Sequence, residues 1–405
     1  MPRANQSSES MRVLHIITRM IIGGAQENTL YNCLDLAHEF RDEVILATGP
    51  SHGPEGCLLD QGRAGDLTIE TIPSLRRSIL PWSDVKCYGQ LRRLIRRVKP
   101  DVVHTHSAKA GFLGRLASWK ERVPAIVHTV HGAPFHPYQS SLARETFIRC
   151  ERFAAGRCHQ LISVADAMTE LMVDADIAPR KKFVTIYSGM ETEPFLTAGK
   201  LREEARKELG ISPDEIVIGK IARLFRLKGH EDLLLTAAEV SKEIPNVRFL
   251  FVGDGELRDS LERQAAELGL SRHIIFRGLV DPKEIPRQIA AMDILTHTSL
   301  REGLARTLPQ ALLSGIPVVS YDIDGAREVC IDGETGYLVT AGDTQTLARR
   351  LIDLSRAPEL RKKLGMRGQS FCRERFSHHV MTDKIRGIYQ KLLTDQDVSQ
   401  LPSEN

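Results

Sequence analysis

Short apolar runs alternate with segments of helical periodicity along most of the chain. In the first half, the apolar runs predict five strands and the periodic segments predict four helices. The predicted strands are 12–17, 43–48, 102–106, 125–130 and 160–165, and the predicted helices are 25–38, 84–98, 108–120 and 141–155. Strands that are apolar on both faces, with helices between them, are typical of a parallel sheet covered on both sides.

The same pattern begins again after about residue 210. The second set of predicted strands is 216–222, 247–253, 273–278, 293–298 and 317–322, with helices at 229–242, 255–268 and 282–292. Two further helical stretches are predicted at 343–353 and 358–391, and the polar tail 395–405 is expected to be disordered. The sequence therefore predicts two α/β domains in tandem.

The join between the two arrays is the segment 187–204, which contains Gly, Pro, Thr and charged residues and has no strand pattern. We interpret it as an interdomain hinge. The predicted N-terminal domain is 11–190, and the predicted C-terminal domain is 191–376. The helical segment 377–393 is expected to cross back onto the N-terminal domain, because no strand pattern follows it.

Composition narrows the class of protein without identifying it. A chain of 405 residues fits about two domains. The 55 basic and 52 acidic residues give a net charge of only +3, which does not favour a nucleic-acid partner. No apolar run reaches the roughly 18 residues of a membrane span, the polar first ten residues lack a signal-peptide core, and the seven cysteines form no CxxC pair. These features favour a cytoplasmic location.

The loops after the strands carry the candidate chemistry, because open α/β sheets bind ligands at the carboxyl ends of their strands. Gly23 and Gly24 follow the first strand and allow a ligand close to the backbone, but they do not match the GxGxxG fingerprint of NAD-binding proteins. Arg223 and Lys228 follow the strand 216–222 within one loop. A planar guanidinium and a lysine held together can neutralise a diphosphate.

A second candidate lies in the stretch REGLARTLPQALLSGIPVV, residues 301–319. Glu302 precedes a short helix that Thr307 can begin and Gly315 can end. The free N–H groups at the start of a helix favour an anion. An acid, an anion site and nearby cations together favour a ligand that carries both phosphate and hydroxyl groups.

Several motifs together resemble the retaining glycosyltransferases of family 4, also called group 1. These enzymes have the GT-B fold, in which two Rossmann-like parallel-sheet domains face each other across a cleft. The matching motifs cover roughly residues 10–390 in the family's order. They are the glycine pair 23–24, HTVHG (128–132), YSGMETEPF (187–195), ARLFRLKG (222–229), VGDGELR (252–258), the stretch 301–319 and DGETGYLV (332–339).

The resemblance implies a role for each matching residue. Arg223 and Lys228 match the basic pair that holds the donor diphosphate. Glu302 matches the first acid of the family's Glu-x7-Glu motif, which contacts the donor sugar. His131 matches the histidine of the first domain near that sugar, so Glu302 and His131 are the catalytic candidates.

The resemblance also implies the remaining donor contacts. Gly23 and Gly24 match the glycine loop that approaches the donor, and the segment from Gly278 to Val280 matches the strand end near the nucleotide base. Gln310 departs from the pattern, because the family usually has its second Glu there, bonded to the ribose. The amide keeps an acceptor but loses the charge, and charged hydrogen bonds are worth roughly 1.5–3 kcal/mol against about 1 for neutral ones. We expect weaker nucleotide binding with the chemistry retained.

The implied function is transfer of a sugar from a nucleotide-diphosphate sugar, with UDP favoured, to a polysaccharide, glycolipid or lipid-linked acceptor in cell-envelope glycan synthesis. No metal or other cofactor is expected, and no nucleic acid. A glycoside hydrolase would need two carboxylates around the bond, which Gln310 does not supply. Two alternatives remain open: a nucleotide-sugar epimerase of the same fold, and a non-catalytic subunit that binds a nucleotide sugar.

Two weaker signals point to a metal. Asp322 and Asp324 form a DxD pair after a strand, a spacing that is common by chance. His104 and His106 could supply two ligands, but no Cys or acid nearby in the sequence completes a site. For these histidines we favour a hydrogen-bonded structural role or contact with the acceptor.

The segment 91–99, LRRLIRRVK, is expected to be a helix with one apolar and one basic face. Its basic face is either solvated or attracted to anionic lipid headgroups. The second possibility, together with Arg76 and Arg77, suggests peripheral contact with the inner face of the cytoplasmic membrane.

Overall fold

The computed structural model describes residues 9–51, 56–59 and 64–400. The chain divides into two compact units. The N-terminal unit holds the described residues up to Met190 together with those from His378 onward, and the C-terminal unit is Glu191–Ser377. The sequence-based boundaries, after residues 190 and 376, lie within one residue of these. The predictions for residues 1–8 and 401–405 fall outside the described residues.

The N-terminal unit contains a seven-stranded parallel sheet in the order β3-β2-β1-β4-β5-β6-β7. Its strands are β1 Arg12–Ile17, β2 Glu43–Thr48, β3 Thr68–Thr71, β4 Val102–His106, β5 Ala125–Val130, β6 Gln160–Ser163 and β7 Phe183–Thr185. The sequence prediction missed β3 and β7. Both are short edge strands with polar or exposed positions, so they lack the apolar run that marks a central strand.

Among the described residues, five helices lie between the strands of this sheet in the order of the chain. They are α1 Gly24–His38, α2 Pro81–Val98, α3 Ala108–Lys120, α4 Ser141–Ala155 and α5 Asp166–Asp174. Helix α2 begins three residues earlier than predicted, because Pro81 suits the first helical position. Helix α4 begins after Ser140, whose hydroxyl accepts a hydrogen bond from the amide of Ala143.

The C-terminal unit contains a six-stranded parallel sheet in the order β10-β9-β8-β11-β12-β13. Its strands are β8 Ile216–Ile221, β9 Val247–Val252, β10 Ile274–Gly278, β11 Ile294–His297, β12 Val318–Tyr321 and β13 Gly336–Val339. Five of the six correspond to predicted strands. Strand β13, GYLV, was missed because it is a four-residue edge strand whose two central residues are only half-buried.

Short and long helices surround this second sheet. They are α6 Glu193–Leu196, α7 Arg202–Glu208, α8 His230–Glu243, α9 Arg258–Glu267, α10 Ile285–Ala290, α11 Thr307–Leu313, α12 Thr344–Arg356 and α13 Pro358–Arg373. The predicted hinge 187–204 contains helical turns rather than an open linker. The carboxylate of Asp281 accepts a hydrogen bond from the amide of Lys283, and it caps a 3-10 turn that leads into α10.

The last helix, α14 His378–Gln400, returns to the N-terminal unit and packs against α1. His378 Nδ1 lies 2.8 Å from a carboxylate oxygen of Asp35, and Arg386 Nε lies 2.9 Å from one of Asp42. The predicted helix 358–391 is therefore two helices, α13 and α14. The expected disorder of 395–400 is wrong, because α14 continues through these residues.

Each sheet has one point at which the strand order reverses. This point lies between β1 and β4 in the N-terminal unit and between β8 and β11 in the C-terminal unit. Loops from neighbouring strands diverge there and leave a crevice at the carboxyl ends, where open α/β sheets bind ligands. The side chains at these two points therefore define the candidate sites.

Candidate active site

In the C-terminal unit, an acid and a lysine meet beside the reversal point. The ammonium of Lys228, in the loop after β8, forms an ion pair with Glu302, in the loop after β11. His297, the last residue of β11, places Nε2 3.6 Å from the same carboxylate oxygen. The Glu302 side chain is 24% exposed, so it remains accessible from solvent. The structure thus brings together two of the residues that the sequence singled out.

The surroundings of Glu302 keep it ionised. Burial by itself would raise the pKa of Glu302, but the hydrogen bond with His297 and the charge of Lys228 outweigh burial and hold that pKa well below its usual range. Burial lowers the pKa of His297, so the imidazole is neutral near pH 7. The result is a carboxylate with one cationic partner and one neutral hydrogen-bonding partner.

Asp324 holds the loop that carries Glu302. Its carboxylate accepts a 2.6 Å hydrogen bond from the amide of Glu302, and its backbone has a φ of 44°, which non-glycine residues rarely adopt. Asp322, the other acid of the DxD pair, bonds to Arg327 at 2.7 and 3.0 Å. Each acid of this pair thus has a structural partner. The role of Asp324 as a support for Glu302 was not predicted.

A buried lysine lies beneath this site. Lys220, on β8, is only 1% exposed, and its ammonium donates a 2.6 Å hydrogen bond to the hydroxyl of Thr298. That hydroxyl in turn donates to the carbonyl of Gly229 at 2.5 Å. Burial, with a smaller effect from the charge of Lys228, lowers the pKa of Lys220 to about 7. The sequence analysis missed Lys220, although a lysine inside the apolar run IVIGKIA was a detectable signal.

Arg223 lies in the same loop as Lys228. It is exposed, its guanidinium lies 4.9 Å from the centre of the Phe225 ring, and its carbonyl accepts a hydrogen bond from His230 Nε2 at 2.9 Å. The path of this loop depends on Gly253, which has a φ of 131°. A side chain on Gly253 would place Cβ 2.1 Å from the carbonyl oxygen of Ala222.

The predicted nucleotide contacts lie on other elements of the same unit. Gln310 is half-buried on α11, which has only seven residues. Gly278 ends β10 with a φ of 78°, its carbonyl accepts a hydrogen bond from the amide of Gly253 at 2.9 Å, and half-buried Val280 follows. Gly23, Gly24 and His131 belong to the other unit.

In the N-terminal unit, His131 ends a chain of three histidine rings at the reversal point. His131 follows β5, and its Nε2 lies 3.1 Å from Nδ1 of His106 on β4. Nε2 of His106 lies 3.0 Å from Nδ1 of His15 on β1. Gly23 and Gly24 lie at the start of α1, and Gly23 has extended backbone rather than the left-handed conformation that would require glycine.

His104 lies beside this chain and has other partners. Its Nδ1 is hydrogen-bonded to the hydroxyl of Tyr389 at 2.5 Å, and its Nε2 to the hydroxyl of Thr129 at 2.7 Å. Burial lowers the pKa of His15 to about 3 and holds those of His104 and His106 well below their usual range, so all three rings are neutral.

No Cys or acid was expected beside the His104–His106 pair, and the structure places a third histidine there. His15 brings a third ring nitrogen within 4.8 Å of theirs. The sequence could not show this, because β1 and β4 are neighbours in the sheet but are 89 residues apart at these positions, with His15 directly opposite His104. Both nitrogens of His104 and of His106 nevertheless already take part in hydrogen bonds within the protein.

A cavity of 570 Å³ opens in the same unit. Its lining combines cationic, acidic and apolar side chains. The cationic residues are Arg19, Arg77 and Lys109, the acidic ones are Asp84 and Glu151, and the apolar ones include Ile79, Phe112, Leu113, Pro134 and Phe147. The ammonium of Lys109 forms an ion pair with Asp84. This combination suits a ligand with one anionic end and one apolar end.

Three of the five cations in the segment 91–99 pair with two acids. Arg92 and Arg96 bond to Glu121 at 2.5 and 2.6 Å, and Arg97 bonds to Glu70 at 2.6 Å. The start of the same helix and the two residues before it expose apolar side chains beside the cavity. These are Ile79, Leu80, Trp82 and Val85, of which Trp82 is 89% exposed. None of the helices in the described part of the chain has the length and apolar character needed to cross a bilayer.

Two family models match the chain. The model described as Glycosyltransferase Family 4 matches residues 23–194, and the model described as Glycosyl transferases group 1 matches residues 201–371. The first match covers the N-terminal unit from residue 23 and ends just inside the C-terminal unit, the second lies within the C-terminal unit, and together they account for most of the chain.

Individual proteins are similar over nearly the whole length. The Escherichia coli UDP-Gal:alpha-D-GlcNAc-diphosphoundecaprenol alpha-1,3-galactosyltransferase is 26% identical over 397 residues, which cover 95% of this chain and 98% of that protein. The capsular polysaccharide biosynthesis glycosyltransferase CapM of Staphylococcus aureus is 23% identical over 340 residues, 82% of this chain and 87% of CapM. The crystal structure of Anabaena HepE in complex with UDP-glucose has a TM-score of 0.80 and 23% identity, and covers 94% of this chain and 100% of that chain. This structural likeness shows the GT-B fold, as predicted.

Proposed function

Because the chain belongs to the group 1 glycosyltransferases, we propose that it transfers a sugar from a UDP-sugar to a lipid-linked acceptor in cell-envelope glycan synthesis. The observation that carries this proposal is the pairing of Glu302 with Lys228 at the carboxyl ends of β8 and β11, with Arg223 in the same loop. It supplies an ionised acid for a sugar and two cations for a diphosphate at the point where such sheets bind ligands.

The two cations stabilise the leaving group. Breaking the bond between the sugar and the diphosphate places negative charge on the diphosphate, and Arg223 and Lys228 are charged before the reaction begins. Removing one preorganised donor of this kind costs on the order of 10²–10³ in rate in comparable sites. Because these side chains supply the positive charge, the proposed reaction uses no metal, and a chelator should leave its rate unchanged.

The reaction proceeds with retention of the anomeric configuration. Positive charge develops on the sugar as the bond breaks, and Glu302, held ionised by Lys228 and His297, contacts the donor sugar in this proposal. Gln310 is neutral and contributes no second carboxylate. One acid on the donor side fits the retaining reaction that the family resemblance implies.

The nucleotide lies along the remaining predicted contacts. Gln310 accepts a hydrogen bond from the ribose, and the backbone from Gly278 to Val280 contacts the base. Uracil is favoured because the similar E. coli enzyme is named for a UDP-sugar, and HepE was crystallised with UDP-glucose. The amide of Gln310 makes ribose binding weaker than a carboxylate would.

The acceptor binds the N-terminal unit as a lipid-linked diphosphate. The 570 Å³ cavity provides Arg19 and Arg77 for the anion, whereas Lys109 already pairs with Asp84. Apolar Ile79, together with exposed Trp82 nearby, provides a path for the hydrocarbon tail. The name of the E. coli relative, which acts on a diphosphoundecaprenol-linked sugar, supports this acceptor class.

Through the same apolar end of α2, the protein binds peripherally to the surface of the cytoplasmic membrane. An exposed tryptophan beside other apolar side chains is typical of proteins that lie in the headgroup region. The arginine face of 91–99 contributes less than the sequence suggested, because three of its cations already pair with acids.

The test is a transfer assay with a panel of UDP-sugars and short-chain polyprenyl-diphosphate sugars, with the product read by mass spectrometry and its anomeric configuration by NMR. We expect a retained-anomer product from the wild type and a rate at least 10² lower from Glu302→Gln. An inverted anomer would contradict retention. Conversion of the UDP-sugar without an acceptor would favour the epimerase. UDP-sugar binding with no turnover over the whole panel would favour the non-catalytic subunit.

A further inference from the structure

Two acids and two histidines meet where α14 packs against α1, away from the candidate active site. Asp35 lies in the last turn of α1, and Glu39 follows the end of that helix, so the two acids share one face. His378 and His379 are the first two residues of α14. All four residues belong to the N-terminal unit. One ligand atom from each of Asp35, His378 and His379 lies within 4.8 Å of the other two.

Both histidines turn the same ring nitrogen towards the acids. Nδ1 of His378 lies 3.0 and 2.8 Å from the two carboxylate oxygens of Asp35. Nδ1 of His379 lies 3.6 Å from Asp35 and is in direct contact with the carboxylate of Glu39. The centres of the two rings are only 4.0 Å apart, so protonating both would place two like charges side by side. A single cation between the four side chains would satisfy both nitrogens and both acids.

This donor set fits a divalent transition metal. Four-coordinate zinc binds histidine nitrogen and carboxylate oxygen at about 2.0–2.2 Å, which places its ligand atoms about 3.3 Å from one another. The distances of 2.8, 3.0 and 3.6 Å from Asp35 to the two histidines lie on either side of that spacing. The two carboxylates also balance the charge of the ion. Magnesium and calcium instead prefer sites made of oxygen ligands.

Neighbouring side chains hold the inner half of this cluster. The hydroxyl of Thr382 donates a 2.8 Å hydrogen bond to Asp35, and the amide of Asn32 donates to that hydroxyl at 3.2 Å. The Tyr31 ring stacks on His378 with the ring centres 4.7 Å apart. Contacts of this kind orient the ligands of metal sites.

The outer half of the cluster is open to solvent. The side chains of Asp35 and His378 are 6% and 14% exposed, whereas those of Glu39 and His379 are 30% and 50% exposed. An ion can therefore reach two ligands that are already held in place, and the two outer side chains can then close on it.

The other group of histidines in the N-terminal unit lacks these properties. His15, His104 and His106 bring three ring nitrogens together, but the group contains no acid and is fully buried. A divalent ion there would be buried without a counter-charge, which is costly. The cluster at the start of α14 supplies both the counter-charge and the access.

We propose that Asp35, Glu39, His378 and His379 bind one zinc ion per chain, and that this ion fastens the start of α14 to the end of α1. The site is structural, because its ligands include none of the residues assigned to sugar transfer. The proposed reaction therefore still uses no metal. The zinc site does not depend on the proposed function.

The first measurement is calorimetric titration of Zn²⁺ into the full-length protein, which is stripped with a chelator and carries no polyhistidine tag. We expect one zinc ion per chain and at least tenfold weaker binding of Mg²⁺. Bound Co²⁺ should give the strong visible absorption of a tetrahedral site. No zinc binding, equal affinity for Mg²⁺, or the weak absorption of octahedral Co²⁺ would overturn the proposal.

The second measurement places the ion with His379→Gln, in which a half-exposed side chain is replaced. His38→Gln is the matched control, because His38 is an equally exposed histidine at the end of α1 that pairs with Asp66. Zinc should bind at least tenfold more weakly to His379→Gln and with unchanged affinity to His38→Gln. Equal affinities in His379→Gln and the wild type would place the ion elsewhere and overturn the proposal.

The third measurement tests the structural role. Zinc at a hundredfold excess over its Kd should raise the Tm of the wild type by roughly 5–10 °C, and that of His379→Gln by much less. Equal shifts in the two proteins would contradict the role of the ion at α14. Below its Tm, the metal-free wild type should transfer sugar at the same rate as the zinc-loaded protein. A folded, metal-free protein that regains transfer only with zinc would overturn the structural assignment, and binding and Tm decide the site even if no transfer is found.

Discussion

At the scale of single residues, the C-terminal site combines side chains whose charges depend on one another. Glu302 stays ionised because Lys228 and His297 contact it, while Lys220 loses charge because it is buried close to another cation. A diphosphate bound near Lys228 would add negative charge to the same region. The ionisation of Lys220 therefore depends on the other charges of this site.

Lys220 should make the stability of the protein depend on pH. Its pKa in the folded chain is about 7, against a value of 10.5 for an unburied lysine. Between these values the unfolded chain binds the extra proton, so the free energy of unfolding rises with pH over this window. The rise should be on the order of a few kcal/mol, and Lys220→Met should lack it.

The measurement is urea unfolding at about pH 6 and about pH 10, followed by circular dichroism because both tryptophans lie in the other unit. Lys242→Met, which changes an exposed lysine, is the control and should behave as the wild type. If the free energy of unfolding changed with pH equally in the wild type and in Lys220→Met, the pH dependence would not come from Lys220.

Sequence reasoning found the residues with a motif and missed those that act through packing. Arg223, Lys228 and Glu302 follow predicted strands, so the parallel-sheet rule placed them near one another. Lys220, His297 and Asp324 support them from positions that only the sheet order and the loop path bring into contact. The same holds for His15, which is distant in sequence from His106 and becomes its partner only when β1 and β4 pair.

At the scale of elements, the loop between β8 and α8 depends on a glycine. Gly229 has a φ of 62°, and a Cβ there would lie 1.9 Å from the carbonyl oxygen of Thr298. Gly229→Ala combines left-handed backbone strain with a backbone overlap. We expect a loss of roughly 2–4 kcal/mol in the free energy of unfolding and displacement of Lys228.

Gly269→Ala is the matched control for this change. Gly269 has a φ of 73° with nothing within 4 Å of the added Cβ, so it should lose only the strain, roughly 1–2 kcal/mol. Urea unfolding followed by circular dichroism gives both values. Equal losses of stability in Gly229→Ala and Gly269→Ala would contradict the prediction, because they would show that the overlap with Thr298 adds nothing to the backbone strain.

The apolar end of α2 gives a prediction about membranes. Trp82→Ser combined with Ile79→Ser should reduce flotation with vesicles of phosphatidylglycerol and phosphatidylethanolamine several-fold, because an apolar surface is removed from the headgroup region. The control is Arg92→Gln combined with Arg96→Gln, which removes cations already paired with Glu121. A larger loss of flotation in the arginine variant would indicate that the basic face of 91–99, and not the apolar end of α2, attracts the lipid headgroups.

Central strands were predicted from sequence more accurately than edge strands. Strands β1, β2, β4 and β5 are apolar and almost wholly buried, and their predicted bounds match the structure. Strands β3, β7 and β13 have three or four residues at or near the edges of the sheets. At such positions one face is open to solvent, so the apolar pattern that identifies a strand is absent.

At the scale of the whole molecule, α14 ties the C-terminal end of the chain to the N-terminal unit. The ion pair between Arg386 and Asp42 is 5% and 0% exposed. Arg386→Met would leave the Asp42 charge buried without its cation, which costs about 3–5 kcal/mol. Tryptophan fluorescence reports this loss directly, because Trp82 and Trp119 are the two tryptophans of the chain and both belong to this unit.

Arg12→Met is the control for this prediction. Arg12 pairs with Glu43 in the same unit, but the two side chains are 41% and 56% exposed, so the loss should be about 1 kcal/mol or less. Comparable losses in the two variants would contradict the importance of the buried pair in holding α14.

The most direct test of the proposed function is calorimetric titration of UDP into the full-length protein. The variants are a double Arg223→Ala, Lys228→Ala protein and, as a control, Arg263→Ala, which removes an exposed cation from α9. We predict that UDP binds the wild type and the control with the same affinity, and that the double variant binds at least tenfold more weakly. Absence of UDP binding to the wild type, or equal binding by the double variant, would contradict a diphosphate site at these two residues.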